Sequence, residues 1–284
     1  MSGLSEKRVA VLGLGIIGSR ACSRLAESGW QVTCWNRTPK GLPGEADTPE
    51  AAIAEAAIIS IYLKDVPAVR EIVGRIASFL KPGQIMLNHA TLDLETTKWL
   101  DEICSDHGCR FLDTPFTGSK VASANGQLFY YVGGDAALAQ ELEPFLAVTS
   151  RGRLYTGEVG TATVLKLATN LISACTVQAM AESLAIATHH GVSAECLISA
   201  VSENACASML TGMKFPLMAS GDYETHFSLA NMGKDCRYML ALSDSAGLKT
   251  PAIEAVSKRM GELCDEGLGD MDFSVLAKPY LETL

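Results

Sequence analysis

Lys166 and Asn170 stand four residues apart in the run from Gly160 to Asn170, G-T-A-T-V-L-K-L-A-T-N. In a helix, that spacing puts both on one face, about one turn from each other. An amine and an amide then project together from an otherwise apolar segment. Desolvation disfavours the charged form of a lysine and lowers its pKa. A lysine so placed can act as a general acid or base near neutral pH. Judged on these residues alone, a surface lysine and a capping asparagine are an equal alternative.

A second candidate lies near the start of the chain. Arg8 to Leu12 (R-V-A-V-L) is a short β-rich run that enters Gly13-Leu14-Gly15-Ile16-Ile17-Gly18 directly. Ser19 to Ser28 reads as helix, stopped by Gly29, and Gln31 to Trp35 as a second strand. The G-x-G-x-x-G therefore lies between strand and helix, the context that the dinucleotide fingerprint requires. Gly13 permits a tight turn, Gly15 lets backbone approach a pyrophosphate, and Gly18 lets the helix pack on the strand. The N–H groups of the helix N-terminus complete the phosphate site.

The residues after the second strand choose the dinucleotide. An acidic residue there would bind the ribose 2'-hydroxyl of NAD. Asn36-Arg37-Thr38 has no carboxylate, and Arg37 can hold a 2'-phosphate through its planar fork. Thr38 adds a hydroxyl donor. NADP is the expected cofactor; a solvated turn is the structural alternative.

These candidates need elements to position them. One or two helical turns are expected at 49–55, strands at 57–63, 85–87 and 110–112, and helices at 66–79 and 93–104. Ligands in such sheets lie beyond the carboxyl ends of the strands. Leu63-Lys64-Asp65, Asn88 to Thr91 and Asp113 to Lys120 are thus three candidate walls of one site. Within the last, Thr117-Gly118-Ser119 offers hydroxyls and backbone N–H groups suited to a carboxylate, with a plain turn equally consistent. Strands at 127–132 and 153–155 and a helix from Asp135 to Phe145 complete this half. Beyond Gly160, helices are expected at 161–190, 194–202, 208–219, 229–246 and 252–266. The first is apolar nearly all round and is expected to be buried on most sides.

The chain has 284 residues, 48% of them apolar, and a net charge of -9. The acidic balance argues against non-specific nucleic-acid binding. Met1 to Lys7 is polar, so no signal peptide is expected. The segment after Val159 is the one apolar run of spanning length. It carries Lys166, Asn170, Gln178 and Glu182, and reads as a core helix rather than a membrane span. The nine cysteines show no C-x-x-C pair and no zinc spacing. They read as reduced, buried thiols, Cys22, Cys175 and Cys264 among them, of a cytoplasmic protein that holds no metal.

Taken in order, these motifs resemble the β-hydroxyacid dehydrogenases, a family that includes 3-hydroxyisobutyrate dehydrogenase and the glyoxylate/succinic semialdehyde reductases. The resemblance covers almost the whole chain. It rests on G-L-G-I-I-G at Gly13, D-T-P-F-T-G-S-K at Asp113, the Gly160 to Asn170 segment, and K-D at Lys234. It implies an α/β Rossmann domain with a parallel-type sheet over residues 1–158. An all-α substrate and dimerisation domain over 159–284 follows, with a long helix between the two. It also implies that Lys166 is the acid/base, that Asn170 binds substrate, and that Thr117, Gly118 and Ser119 hold a substrate carboxylate. Thr91 and Lys234 would meet the nicotinamide end, with Leu63 and Lys64 on the cofactor's path. A small-molecule substrate and a homodimer or homotetramer are expected. The segment Gly118-Ser119-Lys120 departs from the family's usual Gly-Gly and is closer to the semialdehyde reductases. The related imine reductases share the N-R-T-P stretch but replace the lysine, so Lys166 argues for carbonyl or alcohol chemistry. Two functions of different class follow: an NADPH-dependent reductase of small carbonyl acids, with an imine reductase as its variant, and a non-catalytic NADP-binding scaffold.

Overall fold

A computed structural model of the chain describes residues 7–282. The polar segment preceding Lys7 lies outside them. Two compact units divide the chain, the first running to Lys166 and the second beginning at Leu167.

In the first unit, β1 (Arg8–Leu12), α1 (Ile16–Glu27), β2 (Gln31–Trp35), α2 (Pro49–Ile53), β3 (Ile58–Ile61) and α3 (Val66–Ile76) come first. β4 (Ile85–Asn88), α4 (Leu94–Asp106), β5 (Arg110–Asp113), β6 (Phe116–Thr117) and α5 (Lys120–Ala124) follow, then β7 (Leu128–Gly134), α6 (Ala136–Glu141), α7 (Glu143–Leu146) and β8 (Ser150–Gly157). The strand order is β2-β1-β3-β4-β5-β7-β6, with β8 on β7. The first five strands are parallel, as expected; β7 then runs antiparallel to β5 and β6, so the sheet is mixed. The order reverses at β1, between β2 and β3, and that crevice is where open α/β sheets bind ligands.

Alternation along the strands explains the two buried faces. Ala10, Leu12, Ile59, Ile61 and Met86 pack with Val69, Ile72, Val73 and Ile76 of α3 and Leu100 and Cys104 of α4. Val9, Val11, Ile58, Ile85 and Leu87 pack with Cys22 and Leu25 of α1 and Leu138, Leu142 and Phe145 from the α6–α7 region. Both faces being covered makes these strands near-continuous apolar runs. Side-chain caps fix where α2, α3 and α4 begin: Thr48, Asp65 and Asp93 each accept an N–H from the first turn. The short β6 and α5 occupy what reads as one loop, and the single helix expected to reach Phe145 is broken into α6 and α7 at Leu142.

The helix α8 (Thr161–His189) leads into the second unit, with α9 (Ala194–Ser202), α10 (Met209–Ser220), α11 (Leu229–Ser245), α12 (Pro251–Leu263) and α13 (Lys278–Leu281) after it. From α8, Leu167, Ala174, Val177, Ala181 and Leu184 enter this unit's core beside Phe215, Met218, Met232, Met239 and Met260. By length and composition α8 could cross a membrane, yet only 33% of its most apolar window is buried. The expectation of burial on most sides is therefore corrected. One face is core, and the other leaves Ile172 and Ile186 64% and 65% exposed. The thiols are likewise mixed: Cys196 and Cys206 are exposed, and Cys175 and Cys264 half-buried.

Candidate active site

The turn after β1 is built as its glycines require. Gly13 has φ +100, and a Cβ there would lie 2.6 Å from the Tyr62 carbonyl oxygen. A Cβ on Gly18 would lie 1.9 Å from the Gly13 carbonyl oxygen, so helix and turn touch backbone to backbone. Gly15 faces open space, and a Cβ there would meet nothing within 4 Å. It is the N-cap of α1 and supplies no side-chain cap, so the first N–H groups of the helix keep no side-chain partner from it. Leu14, Ile16 and Ile17 complete the turn; Leu14 and Gly18 are buried and Ile16 is exposed. This cradle fits a dinucleotide pyrophosphate, with room at Gly15 and donors at the helix end.

Asn36 joins this turn to the next one. Its Oδ1 accepts from Leu14 N at 2.9 Å, and its Nδ2 donates to the Thr38 carbonyl oxygen at 2.8 Å. Beside it opens a cavity of about 630 Å³ lined by Trp35, Asn36, Arg37, Glu45, Glu71 and Arg75 among others. The Arg37 guanidinium pairs with Glu71 Oε2 at 2.7 Å. Asn36-Arg37-Thr38 holds no carboxylate, but the fold supplies one from α3, so Arg37 is already paired where its sequence neighbours show no acidic group. Glu45 accepts N–H groups from Lys40, Gly41 and Leu42. The Lys40 N–H foremost holds its carboxyl below the usual range.

The three walls follow β3, β4 and β5. After β3, Leu63 is half-buried and Lys64 exposed; after β4, Thr91 is half-buried. Between them His89 is turned inward. Its ring stacks on Tyr62 at 4.4 Å, and Nδ1 lies 3.0 Å from the Thr114 carbonyl oxygen. Burial pushes its pKa down to about 4, so it is a neutral core residue. In the third wall, Thr117 pairs with Phe129 in the sheet, and Thr117 and Gly118 are exposed. Ser119 caps α5, its Oγ accepting from Ala122 N at 3.3 Å. One lone pair of that hydroxyl is thus already engaged.

The start of α8 is tied to the end of β5. Asp113 is fully buried, and its Oδ2 accepts the Thr163 N–H at 2.8 Å. Thr163 and Thr97 hydroxyls meet at 3.0 Å. Burial pushes the Asp113 pKa up to about 6, against the opposing hydrogen bonds from Thr163. Lys166 follows Thr163 by three residues, and Asn170 by seven, on one continuous helix. Within the second unit, Asn170 Nδ2 donates to Asp235 Oδ2 at 2.7 Å. Lys234 Nζ lies 3.0 Å from Asp235 Oδ1 and 5.0 Å from the centre of the Tyr238 ring. Asp235, 1% exposed, therefore connects the two residues of this unit expected in the site. Sequence reasoning misses it. In K-D it passes for an ordinary charged pair, although a carboxylate flanked by Met232, Cys236 and Met239 at helical spacing falls on an apolar face.

Known proteins bear directly on this geometry. The NAD-binding domain model of 6-phosphogluconate dehydrogenase matches residues 8–163. The model for the NAD-binding domain of NADP-dependent 3-hydroxyisobutyrate dehydrogenase matches 160–280. Glyoxylate/succinic semialdehyde reductase 1 of Arabidopsis thaliana is 30% identical over 278 residues, covering 94% of this chain and 96% of that one. Among solved structures, a 3-hydroxyisobutyrate dehydrogenase of Mycobacterium tuberculosis with L-serine superposes with TM-score 0.88. It is 21% identical and covers 96% of this chain and 98% of that one. An imine reductase of Myxococcus stipitatus with NADP+ superposes with TM-score 0.66 at 21% identity, covering 95% and 99%.

A dinucleotide cradle at the head of a mixed sheet, followed by a helical unit, defines an NAD(P)-dependent oxidoreductase. The chain belongs to the β-hydroxyacid dehydrogenase family.

Proposed function

We propose that the protein is an NADPH-dependent reductase of short aldehyde acids, of the semialdehyde or glyoxylate type. The observation that carries the reading is the placing of Lys166 and Asn170 one turn apart on a helix whose start Asp113 anchors. The named reductase activity of the Arabidopsis relative supports the substrate class.

When bound, the reduced nicotinamide supplies hydride to the carbonyl carbon. Lys166 donates the proton that the carbonyl oxygen takes up, and in the reverse direction receives it from the alcohol. Asn170 orients the substrate, its amide held by Asp235. Thr117, Gly118 and Ser119 bind the carboxylate, and Thr91 and Lys234 meet the nicotinamide end. Gly13 to Gly18, Leu63 and Lys64 hold the rest of the cofactor, with Asn36, Arg37 and Thr38 at its adenosine ribose. A site that hydrogen-bonds a substrate group rejects analogues lacking it. Succinic semialdehyde should therefore show a higher kcat/KM than butanal with NADPH. A preference for butanal or for a cyclic imine would remove the carboxylate argument.

We also assign the exposed face of α8 to a second copy of the chain. Ala168, Ile172, Ala179, Ser183 and Ile186 follow one another at helical spacing on that face, and all are exposed. An isologous pairing would bury them.

A further inference from the structure

We propose that Glu71 limits the preference for NADPH by competing with the 2'-phosphate for Arg37. The inference rests on the reading that the cavity beside Arg37 takes the adenosine end of the cofactor. Arg37 closely follows β2, next to the Asn36 that is hydrogen-bonded to the turn after β1. That is where the fold places the adenosine ribose.

Glu71 reaches the same place from α3. Val69, Ile72, Val73 and Ile76 bury one face of that helix, which leaves Glu71 and Arg75, four residues apart, on the face toward the cavity. Both line it. The Glu71 carboxylate holds the Arg37 guanidinium at 2.7 Å, and Arg75 is held by Glu50. Across the lining, Arg37 and Arg75 stand against Glu45, Asp47 and Glu71, two guanidinium groups facing three carboxylates. For a doubly charged phosphate this is a poor field, and neutralising Glu71 would remove the carboxylate that Arg37 holds.

The Arg37–Glu71 pair is 66% and 60% exposed. Pairs of this kind are weak and salt-screened. A phosphate, able to take two N–H groups of the same fork, displaces Glu71 from Arg37. The displaced carboxylate stays attached to α3, close to the new anion, and repels it. NADH carries no 2'-phosphate and meets no such conflict. Glu71 therefore acts on one cofactor and spares the other.

The test is the dissociation constant of NADPH and of NADH, by fluorescence titration at low and high salt, for the unmutated protein, Glu71→Gln, Arg37→Gln and the double variant. All the changed groups are exposed, so each variant should fold. Glu71→Gln should tighten NADPH about three- to tenfold at low salt, less at high salt, and change NADH less than about twofold. In the Arg37→Gln background the same substitution should gain less, because the two sites share a partner. If Glu71→Gln leaves NADPH unchanged while Arg37→Gln weakens it, the proposal falls and the cofactor reading stands. If Arg37→Gln also leaves NADPH unchanged, both fall.

Discussion

Asp113 and His89 stand at the ends of neighbouring strands, both buried and both displaced from their ordinary pKa values, in opposite directions. Asp113 is raised to about 6 by burial. Its contribution to stability is fully present below the unfolded value of about 3.9 and is lost as pH rises through the folded one. His89 is lowered to about 4 by burial. Its contribution is present above about 6.5 and is lost as pH falls through the folded value. Each amounts to about 3 kcal/mol over that window, at about 1.36 kcal/mol per unit. They offset, so the unmutated protein should show little net slope from this pair between about pH 7 and 4. Asp113→Asn leaves His89 unopposed. Urea unfolding across that range should show the variant losing about 3 kcal/mol more than the parent on acidification; parallel curves would mean that Asp113 does not titrate there. The lysine proposed as proton donor gives the second residue-scale expectation. Lys166→Met should lower kcat and kcat/KM together by about a hundred- to ten-thousandfold, with the NADPH dissociation constant nearly unchanged. Near-normal turnover would move the acid elsewhere, Lys120 and Lys234 being the next candidates.

At the scale of elements, the turn after β1 tolerates no added methyl at Gly13 or Gly18. Gly18→Ala would put a Cβ 1.9 Å from the Gly13 carbonyl oxygen. Overpacking of this kind costs about 1–3 kcal/mol, and relief requires the turn to move. A lower melting temperature should accompany much weaker binding of both NADPH and NADH; intact binding would place the cofactor away from this turn. That turn, its flanking strand and helix, and the helical half are legible in the sequence because periodicity and glycine spacing are local. What is not legible depends on distant chain meeting in space. Glu71 is 34 residues from Arg37 and Asp235 is 65 from Asn170, and nothing local says which residue either one meets. The antiparallel β7 reads as a strand from its residues, but its direction depends on the sheet edge it joins. The exposed face of α8 escapes for another reason. Alanines and isoleucines read as core whether a partner element covers them or not.

For the whole molecule, the pairing proposed for that exposed face would set the state of assembly. Ile172→Glu with Ile186→Glu places charge at two positions 64% and 65% exposed, so the fold of the chain itself should be undisturbed. Sedimentation should change from a dimer or larger assembly for the parent to a monomer for the variant. A parent that is already monomeric at micromolar concentration would remove the pairing. The boundary between the two units has a different consequence. It falls between Lys166 and Leu167, inside one helix rather than in a linker, and it separates the proposed proton donor from the amide proposed to orient the substrate. Recombination between relatives usually succeeds at unit boundaries, where few interactions are cut. Here a crossover at that point would inherit the lysine from one parent and Asn170, with its Asp235, from the other. Chimaeras joined upstream, before Gly160, keep the Lys166, Asn170 and Asp235 set from one parent, so the residues proposed to move the proton and orient the substrate are exchanged as a piece that begins inside the dinucleotide unit.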